Sequence, residues 1–226
     1  ENHVYQEKME HDACGVGLIA STEGKKSRRV VDSGIEALKA VWHRGAVDAD
    51  GKTGDGAGIH VEIPKDFFIE KIQVTGHDYD NSEICVGMIF LPRKDYSAQE
   101  SCKTIVESEL TKNNFSIYGW RQVPVNPKVL GEKALQTMPE IIQVLFKPND
   151  PNLLDKNLER KIYETRKRIE NKAFDASLNN FYICSISSKS IIYKGLYLAE
   201  ALSDFYLDLR DSRFISRYAI FHQRFS

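Results

Sequence analysis

HRGAVDADGKTGDGAG, residues 43–58, packs five glycines and three aspartates into sixteen positions. Glycines at that density leave little side chain to bury, and Asp among them bonds to nearby backbone, so the stretch reads as a loop. Asp48 and Asp55 are read as caps of that loop rather than as catalytic groups. The GKT at 51–53 invites a phosphate-loop reading, which fails at two points. The leading glycine would fall at Ala46, and the residues that follow, GAGIHVEI, read as a strand instead of opening a helix.

Outward from the loop, periodicity alternates strands and helices. CGVGLIAS (14–21) reads as a strand, and a helix is expected from about Arg29 to Trp42 with Ile35, Leu38 and Trp42 on one face. KDFFIEKI reads as a short helix and ICVGMIFLP as a buried strand. Ser97-Ala-Gln-Glu100 has the form of a capping box, opening a helix with Cys102, Ile105, Val106 and Leu110 on its apolar stripe. FSIYGWRQVPV and EIIQVLFKP read as strands. Asp150 followed by Pro151 predicts a helix start, with Leu154, Leu158, Ile162 and Ile169 on one apolar face. FYICSIS and SIIYKG suggest a hairpin, a helix is expected near 198–209, and RYAIFHQRFS reads as a strand. Its abrupt stop is read as an incomplete domain. Pattern alone gives an α/β or α+β chain.

The 226 residues suffice for one large domain or two small ones. The net charge of −1 is mixed rather than blocked, so neither nucleic acid nor a membrane surface is predicted as a partner. No apolar run approaches the roughly 18 residues that span a bilayer, and ENHVYQEKMEHDA at the start lacks the apolar core of a secretory signal. A cytoplasmic protein is expected. The four cysteines, 14, 85, 102 and 184, form no CxxC and have no His at ligand spacing, so no metal site is predicted. Cys85, Cys102 and Cys184 sit on apolar runs and are read as core thiols; Cys14 has glycines beside it.

Three segments in order, DACGVGLIA (12–20), the run at 43–58 and FHQRFS (221–226), resemble the opening motifs of class II glutamine amidotransferases, which are N-terminal-nucleophile hydrolases. The length of the second motif, with GWRQVPV, EKA and FYICS…SIIYKG, makes the chain similar to the glutamate synthases from about residue 12 to its last residue. The resemblance implies an α+β fold, a four-layer αββα sandwich of two antiparallel sheets. It implies a propeptide at 1–13 and the front part of the amidotransferase domain at 14–226.

The resemblance also implies the site. Cys14, freed by cleavage after Ala13, would be the nucleophile, and its own α-amine, with a pKa of about 7.7–8.0 when unperturbed, would be the base. Gly15 and Gly17 would let backbone and substrate approach closely. Arg224 would hold the α-carboxylate of L-glutamine through its planar fork of donors. Arg44 is given a supporting role, either beside the nucleophile or bracing the loop. Cys14 is expected at the start of a central strand, within an amino acid's reach of Arg224. The oxyanion hole and the amine-binding Asp are expected beyond Ser226.

No cofactor is expected in this chain; FMN and an iron–sulfur cluster are expected in the whole enzyme. The implied partners are a synthase domain of the same polypeptide and a reductase subunit or ferredoxin. The plastid stroma is the alternative location for a photosynthetic eukaryote. Two other readings stay open: an amidotransferase domain of another class II enzyme, and a catalytically silent unprocessed or truncated fragment.

Overall fold

Two antiparallel sheets set the architecture in the computed structural model, which describes residues 15–42 and 45–224. One antiparallel sheet contains β1 (Gly15–Ala20), β2 (Ala57–Glu62), β7 (Ser190–Gly195) and β8 (Tyr218–Gln223), in the order β1-β8-β2-β7. The other contains β3 (Cys85–Leu91), β4 (Phe115–Gln122), β5 (Glu140–Pro148) and β6 (Tyr182–Ser187), in the order β4-β5-β3-β6.

In the first sheet Ile59, Val61, Ile191, Tyr193, Ala219 and Phe221 fall on one face by register, and all are buried. Helix α1 (Arg28–Ala40) covers it with Val31, Ile35 and Leu38, after the Ser27 hydroxyl caps its first turn by accepting the Val30 N–H, and α2 (Lys65–Val74) adds Phe67, Phe68 and Ile72 to the same core. Toward β7 the same face meets the second sheet, where the Gln143 side-chain amide donates to the Tyr193 hydroxyl at 3.3 Å. The far face of the second sheet buries Cys85, Ile89, Val144 and Phe146 under α3 (Tyr96–Lys112) and α5 (Asp155–Asp175). The result is an α+β sandwich of two antiparallel sheets with helices, as the resemblance implied. Between the sheets the Arg121 guanidinium forks onto Asp208 at 2.6 and 2.7 Å, and the Tyr193 hydroxyl donates to the same carboxylate at 3.0 Å.

Several boundaries differ from expectation for local reasons. The cap of α3 is Asp95, whose carboxylate accepts the Ala98 N–H, so Ser97 and Glu100 lie inside the helix rather than forming a capping box. Asp150 accepts from Asn152 N–H and closes a turn; α5 starts at Asp155, and Leu154 is 47 % exposed instead of joining the apolar face. The helix expected near 198–209 is three short pieces: a 3₁₀ turn at Ala199–Ala201, α helix Leu202–Phe205, and a 3₁₀ turn at Leu207–Arg210. Phe205 and Tyr206 break its period because their rings pack with Tyr197 and Tyr193. Trp42 lies past the end of α1 and is 62 % exposed. A short helix, α4 (Glu132–Thr137), holds the EKA segment and was read only as sequence likeness.

Candidate active site

Two of the positions expected from the sequence, Gly15 and Arg224, lie at one end of the first sheet. Gly15, the residue after Cys14, is buried and pairs across the ladder with Gln223, the residue before Arg224. Cys14, His43 and Arg44 lie outside the described residues, as does the propeptide expected at 1–13. β1 pairs with β8 alone and is an edge strand among the described strands, which corrects the expectation of a central one. Gly17 has a packing reason: an added Cβ would run into the Phe221 ring across the ladder.

Arg224 directly follows β8 in a left-handed backbone conformation, φ +80°, and its N–H donates to the Gly56 carbonyl at 2.7 Å. A non-glycine residue held there costs of order 1–3 kcal/mol and persists only where its surroundings fix it. The side-chain Nε lies 3.1 Å from Asp55 Oδ2. Asp55 Oδ1 accepts the Ala46 N–H at 2.8 Å, and Asp55 N–H donates to the Ala46 carbonyl at 3.3 Å. Thus Asp55 is a loop cap, as read, but it is also the partner of the arginine at the end of β8.

The rest of the glycine-rich loop is built from its own aspartates. Asp50 accepts from the Thr53 N–H at 2.7 Å and the Thr53 hydroxyl at 2.6 Å, and these bonds hold its carboxyl well below the usual range. The Lys133 ammonium donates to Asp48 at 2.6 Å and lowers the Asp48 carboxyl. Ala134 N–H donates to the Thr53 hydroxyl at 3.3 Å. EKA therefore matters because α4 anchors the loop, a link that spacing along the chain could not disclose.

Gln223 is 1 % exposed, and its Oε1 has no hydrogen-bond partner among the described residues. Gly45 lies against its amide so closely that an added Cβ would be 3.0 Å from Gln223 Cδ. Burial lowers His60 and His222 below the ordinary imidazole value, leaving both neutral near pH 7. A cavity of about 340 Å³ lies at the opposite end of β2 and β8, lined by Glu62, Lys65, Glu83, Asp155, Lys189 and Arg217; it is not the arginine's site. The thiols of Cys102 and Cys184 are pushed up by burial to about 11 and about 12, and burial also raises that of Cys85 well above its ordinary value. Among the described residues no group of three or more His, Cys, Asp or Glu is placed to hold a metal, and no helix is long and apolar enough to cross a membrane.

The family model for "Glutamine amidotransferases class-II" matches residues 14–226. The large chain of glutamate synthase [NADPH] from Azospirillum brasilense is 54 % identical over 224 residues, covering 99 % of this chain and 15 % of that protein. The chloroplastic ferredoxin-dependent glutamate synthase of Spinacia oleracea is 39 % identical over 220 residues, covering 96 % of this chain and 13 % of its own length. The chain thus spans about one seventh of the curated relatives it matches. With the strand-end arginine, the anchored glycine-rich loop and the two antiparallel sheets in place, the chain belongs to the class II glutamine amidotransferases, as a domain homologous to those of glutamate synthases.

Proposed function

We propose that this domain hydrolyses the side-chain amide of L-glutamine and that, in the full-length polypeptide, the ammonia passes to a synthase domain that makes glutamate from 2-oxoglutarate. The observation that carries the reading is the end of β8, where Arg224 is fixed one residue from the ladder partner of Gly15. Cleavage after Ala13 would free the Cys14 amine. That amine takes the thiol proton, the sulfur bonds to the amide carbon, and the C–N bond breaks as the proton goes to the departing ammonia. Water then cleaves the thioester, releasing glutamate and the thiol. Arg224 grips the α-carboxylate through the second step, so the substrate stays aligned for both. Arg44 supports the nucleophile's loop. An oxyanion hole would add about 10²–10³ in rate per donor.

FMN and an iron–sulfur cluster belong to the rest of the polypeptide. Cys85 and Cys102 share one apolar core and Cys184 another, so these thiols do not supply a cluster's ligand set. The relatives' names point to two electron donors, NADPH or ferredoxin, and a reductase subunit would be the partner that delivers electrons from NADPH. A cytoplasmic or plastid-stromal location follows with them.

Glutamine hydrolysis by the full-length polypeptide tests the reading, with intact mass reporting loss of residues 1–13. The processed enzyme should release ammonia, Cys14→Ala should abolish release, and the unprocessed 226-residue chain should show negligible activity. Ammonia release by that uncleaved chain at the processed enzyme's rate would show the base or the nucleophile to be misassigned.

A further inference from the structure

We propose that Asp55 is a positioning residue for glutamine capture, setting the plane of the Arg224 guanidinium and tying it to the loop that runs from Gly45. The proposal rests on the reading of Arg224 as the carboxylate clamp and deepens it.

The two oxygens of one carboxylate face two different structures. Oδ1 accepts the Ala46 N–H at 2.8 Å, at the start of the loop, while Oδ2 meets Arg224 Nε at 3.1 Å, at the end of β8. The next residue repeats the link through backbone, since the Gly56 carbonyl accepts the Arg224 N–H at 2.7 Å. Residues 55–56 therefore hold Arg224 at both its side chain and its backbone, which is what a φ of +80° requires to persist. A guanidinium is planar, so a partner at Nε fixes the direction of the whole fork. A bidentate grip on a carboxylate depends on that direction, not on charge alone. The shared carboxylate couples loop and clamp: moving either one disturbs the contact of the other with Asp55.

The test uses the processed full-length enzyme with Asp55→Asn, Asp55→Ala, Arg224→Lys and the Asp55→Asn/Arg224→Lys pair. The amide in Asp55→Asn can still accept from Ala46 but no longer faces Nε with a charge. It should raise KM for glutamine about tenfold with kcat nearly unchanged, because the ion pair that orients the fork is lost. Asp55→Ala should raise KM further. The double variant should be no weaker than Arg224→Lys alone, because Asp55 acts through Arg224. A wild-type KM in Asp55→Asn while Arg224→Lys raises it overturns the role of Asp55 only. A wild-type KM in Arg224→Lys overturns the clamp itself. A fall in kcat at unchanged KM, or additive losses in the pair, would show Asp55 acting elsewhere. Thermal unfolding of each variant separates these results from misfolding, and Asp55→Asn decides if Asp55→Ala does not fold.

Discussion

The two ends of β8 are made of similar residue types and treated in opposite ways. At its start, Glu62 is 4 % exposed and Ser216 fully buried, and the Glu62 carboxylate is surrounded by donors. It accepts from Arg217 Nε at 2.9 Å, Nη2 at 2.6 Å and backbone N–H at 2.6 Å, with Lys26 at 3.6 Å. Burial pushes that carboxyl up, but Arg217 and Lys26 overcome it and leave it below the ordinary value. At its other end, Arg224 has a strained backbone and Gln223 Oε1 is buried with no partner among the described residues. Satisfied charge marks the end that holds the sheet together. Strain and an acceptor unpaired among the described residues mark the end assigned to glutamine, as expected where function rather than stability selects the residues.

Glu62→Ala should give the largest effect on this contrast. Removing the carboxylate strands the Arg217 N–H, while the Ser216 hydroxyl keeps the Tyr218 carbonyl and the half-exposed Arg217 side chain recovers water. The loss should be about 2 kcal/mol in denaturant unfolding, with KM for glutamine unchanged. A shift in KM as large as that of Arg224→Lys would mean that the two ends are coupled.

Gln223→Met should be milder and opposite in sign. It keeps length and burial but deletes a buried acceptor that has no partner among the described residues, so stability should hold or rise by up to about 1 kcal/mol. Destabilisation beyond about 1 kcal/mol would show that Oε1 is in fact satisfied, and the contrast between the ends would weaken.

Strands and helices were legible wherever one periodicity ran unopposed. ICVGMIFLP could only be a buried strand, and its residues fill both cores from β3. Legibility failed where a short polar side chain competed for backbone: Asp95 captured the cap assigned to Ser97, and Asp150 closed a turn where a helix was expected. The fold beyond its class, and the roles of Cys14 and Arg224, came from ordered motifs rather than from pattern. Asp55 was read as a loop cap because its second partner lies at the far end of the chain. No spacing rule links a loop aspartate to an arginine that only the β2–β8 ladder brings near.

The smallest expected effect lies away from both ends of β8, at Arg213. Its guanidinium donates to Asp211 at 2.7 Å and pairs with Glu70, holding each of those carboxyls down to about 2. Both carboxylates are favoured in the folded state, so their contribution is complete above the unfolded values near 4 and is lost as pH falls through the folded values near 2. Solvent reaches the cluster, so that contribution is small and salt-sensitive. Asp211→Asn keeps the acceptor for the Arg213 N–H but removes the charge. The variant's unfolding temperature should lie slightly below that of the parent at pH 6. The gap should close between about pH 4 and pH 2, and shrink in high salt at any pH. A gap that instead widened on acidification would mean that Asp211 is not held as the carboxylate that the Arg213 contacts require.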